Sequence, residues 1–366
     1  MHTHTIGALV RPRRIGRALR AVLSAAVWPA LMLAGCGLAG GNEPRKITLM
    51  THDSFAVGED VLQQFRESSG AEVVVLESGD AGASLNKAIL TKQAPLADVM
   101  FGVDNTFLTR ALQAEIFESY DSPLLNSIPA AFRLDPGNRA LPVDYGDVCI
   151  NYDRTWFAEN SRAVPQTLEE LARPEYDGLL AVENPYTSSP GLAFLLATVA
   201  HFGPDGFTEY WRSLKDNHVE VADGWETAYY TNFSASSGKG PKPMVVSYLS
   251  SPAFEYLYAD PPVEEPPTAS LTGPEMCFRQ IEFVGILAGT KNRKLAEQLV
   301  DFLLSRAFQE DIPEQMAMFP VDPQAKLPEA FVRFAVPPDR PAVLSPEDIA
   351  AHREEWMARW KEIMLP

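Results

Sequence analysis

Between residues 46 and 114, short apolar runs and short helical patterns alternate three times, and this alternation limits the fold more than any other feature of the chain. Residues 47–51 (ITLMT) read as a strand, and after a loop VLQQFRESSG reads as a helix that Gly70 ends. AEVVVLES (71–78) is a second strand. The Gly-rich turn 79–84 leads into the helix LNKAILTK, and LADVMFGVD (96–104) is a third strand before a helix from Asn105 to about Ala114. Strands this short and this closely spaced around helices cannot pair as hairpins. They predict an α/β fold with a mostly parallel sheet and helices on both faces. In such a sheet the turns after the strands share one edge, where ligands bind.

The pattern restarts after residue 140. LPVDYGDVCINYDR reads as a strand, TLEELARPEY as a helix capped by Thr167, and LLAVENPY as a strand. Ser188-Ser189-Pro190-Gly191 opens a long apolar helix, and residues 208–218 form another. VEVADG, a helix from Trp225 to Phe233, PMVVSYLSS and a helix from Pro252 to Tyr258 follow. CFRQIEFVGIL (277–287) alternates as a strand, and KNRKLAEQLVDFLLS is an amphipathic helix. Residues 312–345 read as proline-rich loop, and Ser345 caps a last helix.

Ahead of this stands a segment of different character. Five arginines and no acid occupy the first twenty residues, then AVLSAAVWPALMLAG (21–35) is apolar but too short to span a bilayer comfortably. This predicts a signal peptide over 1–35. Cys36 directly follows Leu33-Ala34-Gly35, which resembles a bacterial lipobox. That resemblance implies a diacylglycerol on Cys36, a flexible tether over 36–45, and a protein held at the membrane in an extracytoplasmic compartment, the periplasm or the cell surface. The rest of the chain carries 26 basic against 48 acidic residues, a net charge of −22. Such a surface repels nucleic acid and suits a solvated protein or a cationic ligand. Beyond Cys36 only Cys149 and Cys277 remain, which an oxidising compartment can join as one disulfide or leave as two buried thiols.

Several local stretches are more specific: Thr51-His52-Asp53-Ser54-Phe55, Gly102-Val103-Asp104-Asn105, Pro142-Val143-Asp144-Tyr145-Gly146, Thr187-Ser188-Ser189-Pro190-Gly191-Leu192, Gly224-Trp225, Val246-Ser247-Tyr248-Leu249-Ser250-Ser251-Pro252-Ala253 and Phe319-Pro320-Val321. In this order, over about 46–360, the chain resembles the thiamine-binding periplasmic proteins of bacterial ABC importers, within the ferric-iron/thiamine/polyamine group of solute-binding proteins. The resemblance implies the type II periplasmic-binding fold, two α/β lobes joined by crossover strands with a ligand cleft between them. Lobe one would be 46–142 with 288–366 and lobe two 147–276, with hinge segments at 143–146 and 277–287. Cys149 and Cys277 would then lie on crossover segments, where a disulfide is geometrically plausible.

The implied function is capture of thiamine or a thiamine phosphate and its delivery to an ABC permease, by a monomer with no cofactor, no metal and no catalytic residues. Thiamine offers a thiazolium cation, a flat aminopyrimidine and a hydroxyethyl arm. A site for it needs an aromatic face, worth about 0.5–2 kcal/mol to a cation, a carboxylate, and hydrogen-bond donors for the arm. The residues the resemblance points to are His52, Asp80, Ser188, Ser189, Gly224, Trp225, Tyr248 and Phe254. Five of them also have a purely structural reading: N-cap for the two serines, turn residue for Asp80, core packing for Trp225 and Tyr248. His52 stands where the family usually has Tyr. Phe254 keeps a ring at a position the family fills with an aromatic. Ala317 replaces a family Trp, a loss that Met316, Met318 or Phe319 could fill. Tyr229-Tyr230 keeps a ferric-iron binder as an alternative, alongside another pyrimidine or cationic metabolite. An extracytoplasmic enzyme ranks lower, because no nucleophile elbow, zincin motif or P-loop occurs.

Overall fold

The computed structural model describes residues 45–235 and 240–365; the expected signal segment and tether up to residue 44, with Cys36, the expected lipidation residue, lie outside them. Eleven strands form one sheet system. They are β1 (Arg45–Thr51), β2 (Ala71–Glu77), β3 (Val99–Asp104), β4 (Phe117–Glu118), β5 (Leu141–Asp153), β6 (Leu180–Glu183), β7 (Glu220–Ala222), β8 (Met244–Tyr248), β9 (Thr268–Leu271), β10 (Phe278–Leu287) and β11 (Phe319–Pro320). The main path runs β2-β1-β3-β10-β5-β8-β6-β7. Strands β2, β1 and β3 are parallel, as are β8, β6 and β7. The long antiparallel strands β10 and β5 join the two groups. Two α/β halves therefore share two strands.

The helices are α1 (Glu59–Ser69), α2 (Ala81–Leu90), α3 (Leu108–Gln113), α4 (Arg154–Glu159), α5 (Leu168–Leu171), α6 (Ser189–Asp216), α7 (Trp225–Thr227), α8 (Ser251–Leu257), α9 (Arg293–Leu303), α10 (Arg306–Met316), α11 (Glu329–Phe334) and α12 (Pro346–Met364). Gly70 ends α1 at φ +65°, a conformation glycine adopts without a steric cost. Gly203 (φ +77°) and Pro204 break α6 where the sequence predicts two helices. In α9, Leu295, Ala296, Leu299, Val300 and Leu303 are buried, the single apolar stripe its spacing predicts.

Two expectations are modified. Strand β10 does not alternate: almost every residue, Gln280 and Glu282 included, is buried, because it is a central strand with neighbours on both sides and helices above and below. The proline-rich stretch contains the end of α10, with Pro313 inside it, and the short α11. The helices of segment 288–366 pack against several other elements. Helices α9 and α10 pack with α1, Phe302 meeting Phe65 at 5.2 Å. Helix α11 packs on α8, and α12 lies on α6, with Trp360 edge-on to Trp211 at 5.7 Å. From α12 the buried Arg353 also donates to the Thr106 carbonyl (3.0 Å), so this helix touches both halves.

Cys149 in β5 and Cys277 just before β10 are joined by a disulfide, with Cα atoms 4.3 Å apart. Because Val148 pairs with Phe278, the two cysteines face each other on adjacent shared strands.

Candidate functional site

The ends of β1, β2, β6, β7 and β8 converge where the two halves meet, and the residues just beyond them line a cavity of ≈ 470 Å³. His52 follows β1, Asp80 opens α2 after β2, Ser189 opens α6 after β6, Trp225 follows β7 and Tyr248 ends β8. These five predicted residues line the cavity together with Glu282, Met316, Ala317 and Met318.

Asp80 bridges the halves. Its carboxylate accepts from the Ala81 amide (2.7 Å), capping α2, and from the Trp225 amide (2.9 Å) across the cleft. Burial raises its pKa, and the Trp225 amide bond works in the opposite direction. Beside it the Gly82 and Ala83 amides donate to the Thr187 carbonyl (2.9 and 3.3 Å). A Cβ on Gly82 would sit 2.8–2.9 Å from the Tyr186 and Thr187 backbone, so only glycine lets these segments meet.

The Trp225 ring is held from three directions. It stacks on Tyr229 (4.9 Å between centroids, 18° between planes), meets Tyr230 edge-on, and donates its indole N–H to Ser247 Oγ (2.9 Å). Such a ring is fixed before any ligand arrives. Gly224, just ahead, packs on Asp80 and lines an adjoining outer cavity.

Glu282 lines the cavity and stands in a row of buried acids that no local sequence pattern predicts. Glu282 pairs in register with Asp104 on one side and with Asp144 on the other, so three buried carboxyl groups stand abreast on β3, β10 and β5. Burial raises Asp104 to about 7, the Thr106 hydroxyl opposing and the Glu282 charge adding to the shift. Burial and then the Glu282 charge hold Asp144 well above the ordinary carboxylate range. Neither Asp144 oxygen has a hydrogen-bond donor among the described residues. His52 Nε2 lies 3.5 Å from Glu282 Oε1. Burial would lower the His52 pKa, but the Glu282 charge and hydrogen bond outweigh it and the net shift is upward. Sequence signals for this row did exist: Asp104 and Asp144 sit inside two of the matched motifs, and Glu282 is a lone acid in an apolar strand.

Three predicted residues do not line this cavity: Gly224, which lines only the adjoining one, Ser188 and Phe254. Ser188 is fully buried behind it, and its hydroxyl does not cap α6. Phe254 lies one turn into α8, where its ring packs on Tyr258 four residues ahead (4.8 Å). Ala317 ends α10 at φ +58° and lines the cavity together with its neighbours Met316 and Met318. Phe319 instead packs on Tyr145 and Phe331. The Tyr229 hydroxyl is committed to Glu255, and neither Tyr229 nor Tyr230 lines the cavity. Among the described residues no group of three His, Cys, Asp or Glu side chains is arranged to hold a metal ion, and no helix is long and apolar enough to cross a membrane.

Residues 94–337 match the family model of the bacterial extracellular solute-binding proteins. The thiamine-binding periplasmic protein of Brucella abortus is 30% identical over 339 residues, covering 90% of this chain and 95% of that protein. Its counterpart from Salmonella typhimurium is 29% identical over 322 residues, covering 86% and 92%. Among solved structures, a periplasmic thiamin binding protein superposes with a TM-score of 0.78 at 26% identity, over 91% of this chain and 100% of that one. Iron-bound HitA from Pseudomonas aeruginosa superposes at 0.69 with 18% identity, over 88% and 100%, a likeness of fold alone.

Proposed function

The chain belongs to the bacterial extracellular solute-binding protein family, and from this premise we propose that it captures thiamine in the cavity between its lobes and presents it to an ABC permease. Its fold is the two-lobed type II periplasmic-binding fold and its role is to bind a solute outside the cytoplasm. The observation that carries the thiamine reading is the convergence of a pre-held indole, Trp225, with the carboxylates of Asp80 and Glu282 in one cavity. An aromatic face and carboxylates within one small cavity suit a flat aromatic cation. The serine at the start of α6 and the Tyr248 phenol supply polar partners for the hydroxyethyl arm. Met316 and Met318 offer a softer, adaptable wall in place of a second indole.

Lobe one is proposed as 46–142 with α9 and α10, and lobe two as 147–276 with α12 strapped across both, the shared strands β5 and β10 acting as hinge. Membrane tethering through Cys36 belongs to the same proposal. Cys36→Ser is expected to move the exported protein from the membrane fraction to the soluble fraction. An unlipidated N-terminus mapped elsewhere in the wild type would refute the tether.

Thiamine titrated calorimetrically into the protein tests the ligand. The affinity is expected to rise with pH. Asp104, with a pKa of about 7, is partly protonated near neutrality; burial and then the Glu282 charge hold Asp144 well above the ordinary carboxylate range, and the Glu282 charge raises His52 above its ordinary value. A cation entering beside them favours the deprotonated acids and the neutral imidazole. Binding therefore releases protons, and by linkage the dissociation constant falls as pH rises through about 7, by up to tenfold per pH unit for each proton released. Titrations between about pH 5.5 and 8 in buffers of different ionisation enthalpy count those protons. No thiamine binding at any pH rejects the ligand, and pH-independent binding rejects the role of the acid row.

A further inference from the structure

Trp225 lines both the inner cavity and the outer one that adjoins it. One face of its indole is covered by the Tyr229 ring, 4.9 Å away and 18° from parallel, which leaves the other face for a ligand. Tyr229 is therefore the platform behind the anchor. It is buried, lines neither cavity, and lies on a π-helical turn, Ala228–Asn232, an irregularity common at functional sites.

Helix α8 holds this platform. The Tyr229 hydroxyl donates to one carboxylate oxygen of Glu255, and the other oxygen accepts from the Thr268 hydroxyl on β9. Glu255 is thus pinned from two elements, one hydrogen bond to each oxygen. One turn back on the same face of α8, Ser251 meets Ser247 (3.0 Å), and Ser247 accepts the Trp225 indole N–H (2.9 Å). The helix supports the indole twice, at its edge through Ser251 and Ser247 and behind its face through Glu255 and Tyr229. The second support is a carboxyl group taken out of water: burial raises the Glu255 pKa to about 7, with the Thr268 and Tyr229 hydroxyls opposing the shift. An apolar side chain would cost less here, but it would strand the buried Tyr229 hydroxyl. Glu255 itself lines neither cavity, so any effect it has on a ligand must pass through Tyr229.

We propose that Glu255 is a positioning residue for the ligand site: by holding the Tyr229 hydroxyl, it fixes the stack that presents the Trp225 indole to the ligand. The proposal rests on the thiamine reading above and adds to it a residue outside both cavities that sets the affinity. Without Glu255 the Tyr229 ring shifts to find another partner and the indole loses its backing. The indole must then be ordered anew at each binding event, which weakens binding without removing any ligand contact.

The test is thiamine calorimetry on the exported protein and its variants, with near-UV circular dichroism of the same samples before ligand is added. Glu255→Ala is expected to weaken binding by about fivefold or more, the effect of stranding one buried hydroxyl. Glu255→Gln keeps an acceptor for Tyr229 and a partner for Thr268, and should stay within about twofold of the wild type. In a Trp225→Ala background, Glu255→Ala should change the affinity by less than about twofold, because a residue that acts through the ring has nothing left to act on. Tyr229→Phe removes the same hydrogen bond from the other side and carries the comparison if Glu255→Ala does not fold. In circular dichroism, wild type minus Trp225→Phe isolates the Trp225 band, and the same difference taken in the Glu255→Ala background should be weaker. Full affinity in Glu255→Ala overturns the proposal. So does an equal loss in the Trp225→Ala background, because Glu255 would then act by another route. A Gln variant as weak as the Ala variant also overturns it, because charge rather than the hydrogen bond would be decisive. If the wild type binds no thiamine, the thiamine reading fails and the Trp225 band alone decides: a band unchanged by Glu255→Ala overturns the positioning role as well.

Discussion

Trp225→Ala is expected to weaken thiamine binding by about thirtyfold or more, near 2 kcal/mol, the cost of removing an aromatic anchor that the bound ligand covers. The ring is the part lost. The backbone amide of residue 225 still donates to Asp80, so the contact between the halves persists in the variant. Tyr229 remains tied to Glu255 and Ser247 remains beside Ser251 (3.0 Å), so the neighbours keep partners. The loss should therefore appear in affinity, with the ligand-free unfolding midpoint little changed. Trp225→Phe, which restores a smaller aromatic face, should recover part of the affinity. An unchanged dissociation constant in a folded Trp225→Ala protein would place the ligand elsewhere.

The fold was legible because its rules are local. Short strands alternating with helices dictate a parallel sheet, and the residues just after strands reach one edge whatever the rest of the chain does. This is why His52, Asp80, Ser189, Trp225 and Tyr248, separated by up to 196 positions in sequence, line one cavity. The acid row was not legible for the converse reason. Asp104, Asp144 and Glu282 become neighbours only through the register of β3, β10 and β5, which are not consecutive in sequence, and no local pattern fixes that register. Phe254 shows the limit of reading position from resemblance. A ring was kept in the right segment, but the structure packs it on Tyr258. The fate of the last eighty residues was also hidden. Nothing in the amphipathic pattern of α12 says which helix its apolar stripe covers; that Trp360 meets Trp211 is set by tertiary packing alone.

Removing both cysteines as Cys149→Ala, Cys277→Ala is expected to lower the unfolding free energy by about 2–5 kcal/mol. The bond joins residues 128 apart, and closing a loop of that length in the unfolded chain gives an entropic ceiling of about 5 kcal/mol in the loop-closure model. The double variant avoids a lone thiol in a site where both residues are fully buried. Urea unfolding of the oxidised wild type, the reduced wild type and the variant separates the contributions: reduced protein and variant should unfold at similar, lower concentrations. The position of the bond adds a functional consequence. It ties β5 to β10 beside Asp147, which holds Arg279 through two hydrogen bonds of 3.0 and 2.8 Å. Those strands are the ones both halves share, so the bond stiffens the proposed hinge itself. A looser hinge spreads the ligand-free protein over more lobe orientations, and each binding event must then select the competent one. The variant should therefore bind thiamine more weakly although no ligand contact is removed. Free thiols at both positions in exported protein, or unfolding unaffected by reductant, would show that the hinge is held by strand pairing alone.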